Sequence, residues 1–452
     1  MQKETKKYAK MKKNLISLAA MALSSLMLSC SSSEDAVDLG EAKQVINMLS
    51  EPIPINLTPE QRTFAYDNNQ FTLNFLKTVN ETDRSEKSFI YSPLSITYVL
   101  GMVNDAATGL TEKELEETLG FHEGGIQAVN DYCKKLIDGL PKVDDKVTLN
   151  IANAIFLNKD WTLKQQFTQD MQTYYDAKAE ALDFKAPETL DHINGWCSEK
   201  TNGMIPTILD KIDPAIISYL LNAIYFKADW ASKFDPKNTK DETFTTEKGS
   251  TTLPTMHQNV LINYCLTSTF SAVRIPYGNG MWTMTVMLPE GNNTISDVID
   301  FIIDNGFSSI ETYPCGTMDD KLPEYILTPH EVDLKLPRYE TSSDTDDLED
   351  GLIGLMKKMG INRAFEDGLA EIPNMCELPV YIEIMRQKAK IKVNEEGSEA
   401  AAVTVAGVTN KSMGSGTMEY SKATFHANRP FVYVIREASS GVILFVGKFT
   451  GA

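Results

Sequence analysis

The stretch NEEGSEAAAVTVAGVTNKS, residues 394–412, decides how the chain is read. From Ser398 to Asn410 it holds one charge, no proline and, apart from Glu399, nothing larger than valine. A strand sends successive side chains to opposite faces. One face would carry Ser398, Ala400, Ala402, Thr404, Ala406, Val408 and Asn410, all small or medium-sized and uncharged. The other would carry Glu399, Ala401, Val403, Val405, Gly407 and Thr409. The β-branched residues favour an extended backbone, and the absence of proline leaves every ladder donor in place. The run that follows, SMGSGTMEYSKATF (412–425), has the composition of a loop. The segment can therefore be soluble while exposed and still fit the interior of a sheet.

Strand signals surround it. The tail PFVYVIREASSGVILFVGKF (430–449) reads as two buried strands turning near Ser440-Gly441. MWTMTVMLPE (281–290) alternates around Trp282, Met284, Val286 and Leu288, and VYIEIMRQKAKIKV (380–393) alternates over a longer run. Helix signals come mostly earlier. Thr58 and Gln61 form a capping box with Pro59 at the first helical position, and Phe64, Phe71 and Phe75 mark one face. In TEKELEETLG (111–120), Thr111 and Glu114 read as a second box, with Leu115 and Leu119 one turn apart and Gly120 as terminator. In DDLEDGLIGLMKKMG, Leu348, Leu352, Leu355 and Met359 form an apolar stripe. Helices early, strands late, no repeat and no βαβ rhythm predict an α+β fold.

The 452 residues are 42% hydrophobic, enough for a sizeable core, and carry a formal charge of −19. Residues 1–29 resemble a lipoprotein signal peptide: basic KKYAKMKKN, an apolar stretch too short to span a bilayer, then Ser29-Cys30. Cys30 would then be acylated and become the mature N-terminus, anchoring the protein to a membrane through lipid alone. Residues 30–56 read as a polar tether and 57–452 as the folded domain. The acidic SSSED after the cysteine is similar to tracts that send some bacterial lipoproteins to the cell surface. An exported location follows as an expectation, either an outer-membrane lipoprotein or an extracellular protein. Without residues 1–29 the chain holds 37 basic and 61 acidic residues, a balance that repels nucleic acid.

Catalytic and metal signals are missing. Cys133, Cys197, Cys265, Cys315 and Cys376 show no zinc spacing and read as unpaired, mostly buried thiols. His122, His192, His257, His330 and His426 form no H-E-x-x-H, and no nucleophile elbow or phosphate-cradling loop occurs. No metal, cofactor or catalytic residue is expected.

Six motifs in order carry a resemblance. SFIYSPLSI (88–96), WCSEKTNGMI (196–205), LLNAIYFKADW (220–230), VNEEGSEAAAVT (393–404), FHANRPFVYVI (425–435) and FVGKF (445–449) are similar to those of the serpins. The resemblance implies three β-sheets, eight or nine helices and an exposed reactive loop, here about 395–424, in a monomer that is not an enzyme. It implies a suicide-substrate inhibitor: a serine protease attacks the loop, and insertion of the cleaved loop into the central sheet traps the covalent acyl-enzyme.

The hinge maps onto Glu395, Glu396, Gly397, Ser398, Glu399, Ala400, Ala401, Ala402 and Thr404. Counting from Gly397 places the attacked bond at Lys411-Ser412, which fits the acidic pocket of a trypsin-like enzyme. The residues after Ser412 are more numerous than usual, and counting back from the C-terminal motif gives Thr417-Met418 or Met418-Glu419. That count leaves open a chymotrypsin- or elastase-like target, a papain-like target, or a non-inhibitory surface binding protein. The hinge count is preferred because trapping depends on the length inserted before the acyl bond. The shutter and breach map onto Ser92, Ser95, Asn222, Trp230 and Gln387, the last in place of the family's usual histidine. Fourteen inserted residues would carry the cleaved end roughly 48 Å, and a dozen ladder bonds at about 1 kcal/mol each would supply roughly 10 kcal/mol.

Overall fold

The computed structural model describes residues 51–83, 87–122, 124–307, 327–398 and 420–451. Its first helix begins where the cap predicts. Thr58 Oγ1 accepts from the Gln61 amide at 3.1 Å, and Gln61 Oε1 accepts from the Thr58 amide at 3.2 Å. Helix α1 (Pro59–Thr82) buries Phe64, Phe71 and Phe75. Strand β1 (Phe89–Tyr91) leads into α2 (Pro93–Ala106), a helix buried on nearly every side.

Helix α3 (Gly109–Leu119) corrects one expectation. It starts two residues before Thr111, which lies inside it and is buried. Thr111 Oγ1 accepts from the Glu371 amide at 3.0 Å, and Glu114 Oε2 accepts from the Asn362 and Arg363 amides at 2.7 and 2.8 Å. Both polar groups serve the neighbouring chain, so the capping box does not form. Gly120 does end the helix, at φ +82°, where the left-handed backbone suits glycine.

After α4 (Gly125–Gly139), strand β2 (Thr148–Asn158), helix α5 (Gln165–Tyr175) and strand β3 (Ala177–Leu182) form a βαβ unit with β2 and β3 parallel. No such unit was expected; AKAEAL in β3 alternates alanine with lysine and glutamate but holds no β-branched or aromatic residue to mark a strand. Helix α6 (Glu188–Lys200) then crosses to β4 (Ser218–Asp229). Strands β5 (Lys240–Thr246), β6 (Gly249–Leu266), β7 (Phe270–Tyr277) and β8 (Trp282–Pro289) follow, then α7 (Ile295–Asn305), β9 (Thr328–Pro337), β10 (Tyr339–Asp344) and α8 (Gly351–Met359). Strand β8 is buried along its whole length, which the alternation did not reveal. Leu348 is buried but precedes α8, so the stripe there is one turn shorter than predicted.

The expected long strand over 380–393 begins only at Met385. It is divided into β11 (Met385–Arg386) and β12 (Lys388–Val393) and followed by β13 (Gly397–Ser398). The chain ends with β14 (Lys422–His426), β15 (Phe431–Glu437) and β16 (Ile443–Phe449), the last two forming the predicted pair around Gly441, φ +78°.

Among the described residues sixteen strands join into two hydrogen-bonded networks. The seven-stranded one runs β10-β12-β13-β4-β2-β3, with β11 on β4. The nine-stranded one runs β1-β16-β15-β8-β7-β6-β9-β14, with β5 on β6. Strand β6 spans 18 residues; residues 263–266 pair with β7, and residues 249–264 pair with β5 and β9. The larger network thus divides at β6 into two sheets sharing one strand. With eight α-helices among the described residues, this is the α+β arrangement that the sequence resemblance implies, and the main core lies between the seven-stranded sheet and the β7-β8-β15-β16 layer. A smaller core, including Phe156, Trp196, Tyr219 and Leu221, packs α6 onto the opposite face of β2 and β4. Cys133, Cys197, Cys265 and Cys376 are buried and unpaired.

Candidate functional site: the hinge and the seam of the large sheet

Strands β4 and β12 do not lie side by side at their C-terminal ends, because Gly397–Ser398 stands between them. β13 is antiparallel to both, with Ser398 opposite Val393 on β12 and Ala228 on β4, and Gly397 opposite Asp229. Farther along the same seam, β11 pairs directly with β4, Met385 with Leu220 and Arg386 with Leu221. The seam holds a hinge strand at one end and is closed at the other.

A tight turn delivers the hinge. Asn394 Oδ1 accepts from the Glu396 amide at 3.0 Å and the Gly397 amide at 3.3 Å, while the Asn394 amide donates to Gly397 O at 3.0 Å. Gly397 has φ +155°, and a Cβ there would stand 2.0 Å from the Ala228 carbonyl oxygen. Only glycine passes so close to β4 with this backbone. Ser398 is 1% exposed, and its hydroxyl lies 2.7 Å from the Tyr277 hydroxyl of β7, so its side chain faces the core.

Trp230 closes the top of the seam. Its ring stacks on Tyr277 at 4.3 Å, its Nε1 donates to Asn394 O at 2.9 Å, and its amide donates to Glu396 O at 2.7 Å. The glutamates are fixed by ions. Glu395, buried, pairs with Arg338 and accepts from Thr239 Oγ1 at 2.6 Å. Burial opposes its charge, but Arg338 and Thr239 outweigh burial and hold its carboxyl below the usual range. Lys233 Nζ reaches Glu396 at 2.5 Å and Asp229 at 2.8 Å. Here too burial is outweighed by the two carboxylates, and the ammonium stands above the ordinary lysine range.

Beneath the closed part of the seam is a second polar group. Gln387 Oε1 accepts from the Ser92 amide at 2.9 Å, and Gln387 Nε2 donates to Ser92 O at 2.8 Å. Ser92 Oγ donates to Leu444 O at 2.7 Å, and Ser95 Oγ donates to Ser92 Oγ at 3.2 Å. A neutral amide meets one donor and one acceptor with its own complementary pair. Asn222, on β4, does not hydrogen-bond to this trio. Its Nδ2 donates to Asn153 Oδ1 at 2.7 Å, Asn153 Nδ2 donates to Tyr175 O at 2.7 Å, and Asn222 Oδ1 is buried with no partner among the described residues.

The structure therefore brings Glu395, Glu396, Gly397, Ser398 and Trp230 together at one end of the seam, and Ser92, Ser95 and Gln387 at the other. Glu399, Ala400, Ala401, Ala402, Thr404, Lys411, Ser412 and Cys30 lie outside the described residues. Sequence reasoning missed Tyr277, Lys233, Arg338, Asn394 and Asn153. Only Asn394 carried a local signal, an asparagine at the start of a turn ending in glycine.

An α+β chain with this sheet arrangement and this hinge belongs to a class of protease inhibitors rather than enzymes. The chain is a member of the serpin (serine protease inhibitor) family, whose model matches residues 66–451. It is 28% identical over 394 residues to Serpin B6 of Pongo abelii, covering 85% of this chain and 98% of that one. It is 30% identical over 399 residues to Iripin-5 of Ixodes ricinus, covering 84% and 93%. The native structure of Tengpin, a thermophilic serpin, superposes with a TM-score of 0.73 over 90% of this chain and 98% of that one, and at 24% identity this likeness concerns the fold alone.

Proposed function

We propose that the protein is a suicide-substrate inhibitor of trypsin-like serine proteases, cleaved at Lys411-Ser412 and closing on the acyl-enzyme by inserting the preceding residues between β4 and β12. The observation that carries this reading is β13, a strand of two residues already hydrogen-bonded to both neighbours and running in the direction an inserted loop must take. Continuing its register would bring Thr404 opposite Asn222 and Gln387, Val405 opposite Leu221 and Arg386, and Val408 opposite Ser218, the first residue of β4. Ser398 faces the core, so the inward face would be the small, uncharged set from Ala400 to Asn410. Thr404 would then stand beside Asn222 Oδ1, which has no partner among the described residues. The two-residue pairing of β11 with β4 would have to open.

The N-terminal segment supports an exported inhibitor held by lipid at Cys30, with the acidic tether spacing it from the membrane. Incubation with trypsin is expected to give an SDS-resistant complex, and mass spectrometry a released C-terminal peptide beginning at Ser412. Clean cleavage with full trypsin activity remaining would defeat the proposal. A peptide beginning at Met418 or Glu419, with a complex formed only by chymotrypsin or elastase, would move the bond and the target.

A further inference from the structure

Arg386 sits on β11 opposite Leu221, at the point where the seam is closed. Its parity is opposite to that of Gln387, whose side chain faces Ser92 in the core, so the guanidinium lies on the outer face, beneath the connection from α6 to β4. Its side chain is 8% exposed and held by carboxylates from both sides of the seam. On the β10 side, Nη2 reaches Asp344 Oδ2 at 2.5 Å and Nε reaches Asp346 Oδ2 at 3.1 Å. On the β4 side, Nη1 reaches Asp210 Oδ2 at 2.9 Å. Burial opposes the charge, and these carboxylates more than offset it, so the guanidinium is held even more firmly protonated than usual.

Asp210 belongs to the α6–β4 connection, and that connection is fixed to the β4 side. Asn194 of α6 accepts from the Ile208 and Leu209 amides at 2.8 and 2.9 Å and donates to Leu209 O at 2.8 Å. Ile208 and Leu209 are buried with Tyr219, Leu221 and Ala223 of β4. The Tyr219 hydroxyl also accepts from the Asp213 amide at 3.0 Å. The Arg386–Asp210 pair therefore bridges two bodies that the seam divides, whereas Arg386–Asp344 and Arg386–Asp346 stay within one.

We infer that Arg386–Asp210 is a latch across the seam, setting how readily the large sheet opens. The inference rests on the insertion reading above, because the latch matters only if a strand enters there. Asp210 is 68% exposed and can let go into water, while Arg386 keeps two carboxylates and so never becomes an unpaired buried charge. Such a bond resists opening without preventing it. Salt weakens it through its exposed partner.

The test uses the intact protein and a fluorescein-labelled synthetic peptide copying residues 398–410, with annealing followed on native gels. Asp210→Asn is expected to speed annealing about five-fold, the scale of one partly exposed ion pair. High salt is expected to speed the wild type toward the variant and to change the variant little. Asp346→Asn, which removes a carboxylate on the β10 side only, is expected to anneal at the wild-type rate. Equal rates for Asp210→Asn and wild type, or equal acceleration by both variants, would overturn the latch while leaving insertion standing. Failure of every form to take up the peptide would overturn the insertion reading, and the latch with it.

Discussion

Ser398→Arg puts a charge where the hinge enters the sheet. The site is 1% exposed, and its neighbour across the core is the Tyr277 hydroxyl at 2.7 Å. An arginine there must either remain in the sheet as a buried charge with no carboxylate built for it, or leave. The first costs about 3–5 kcal/mol, and the lost hydroxyl pair adds about 1 kcal/mol. The intact variant escapes that cost by releasing residue 398 from the sheet, and insertion must then return it; taking about 4 kcal/mol, with half of it felt at the transition state for insertion, the step slows about 30-fold. Insertion competes with release of the cleaved inhibitor from the acyl-enzyme, so the ratio of inhibitor released as cleaved product to inhibitor trapped as complex rises by about that factor. The assay titrates trypsin activity against inhibitor and follows complex and cleaved product on SDS gels. Ser398→Ala, which removes the hydroxyl alone at about 1 kcal/mol, is the control and is expected to raise consumption less than about five-fold. If Ser398→Arg leaves the ratio of released to trapped inhibitor within two-fold of wild type, trapping does not need residue 398 in the sheet and the reasoning is refuted.

Gly397→Ala brings a Cβ to 2.0 Å from the Ala228 oxygen at a φ that side chains rarely adopt, so β13 should leave the sheet at a loss of about 2–4 kcal/mol, seen as a lower urea midpoint and altered Trp230 fluorescence. Arg338→Gln should cost about 1–2 kcal/mol at pH 7, since the arginine is itself 46% exposed. Glu395 is held below its ordinary value, so its contribution is present above the unfolded carboxyl range and fades as pH falls through the lower folded value. Urea midpoints of wild type and Arg338→Gln should therefore differ at pH 7 and converge below about pH 4. Gln387→His should add a pH dependence: above about pH 7 a neutral imidazole can still accept from the Ser92 amide, and once protonated it cannot. The variant's urea midpoint should fall between pH 8 and pH 5.5 relative to wild type, and an unchanged difference would mean that the Ser92 contact does not control the shutter.

Local signals in the sequence were legible where a single residue type settles a backbone problem. Thr58-Pro59-Gln61 capped a helix, Gly120 ended one, and the two C-terminal strands turned at Gly441. Signals failed where a distant partner decided the outcome. Thr111 and Glu114 have the spacing of a capping box, but Glu371, Asn362 and Arg363 claim their oxygens. The alternation over 380–393 is real, yet only the residues from Met385 onward have a strand beside them. The close approach of residue 397 to β4 falls on a glycine, the one residue type that the sequence shows meeting it; whether the segment works as a hinge is what the Ser398→Arg assay decides. Ser92 and Gln387 stand 295 positions apart, so no local pattern joins them, and only the family resemblance did. Nothing in either stretch pointed to Tyr277 beneath Ser398 or to Asp210 across from Arg386, because both contacts arise from how layers stack.

The central claim is that cleavage lets residues 399–411 extend β13 as a strand between β4 and β12, and urea unfolding before and after cleavage tests it most directly. The chain is cut between residues 411 and 419 by a protease that is then removed. A dozen new ladder bonds at about 1 kcal/mol each, with a urea slope on the order of 3 kcal/mol per molar, raise the midpoint by about 4 M. That rise is the predicted result; a cleaved protein that unfolds at the same or lower urea concentration than the intact one would contradict the account.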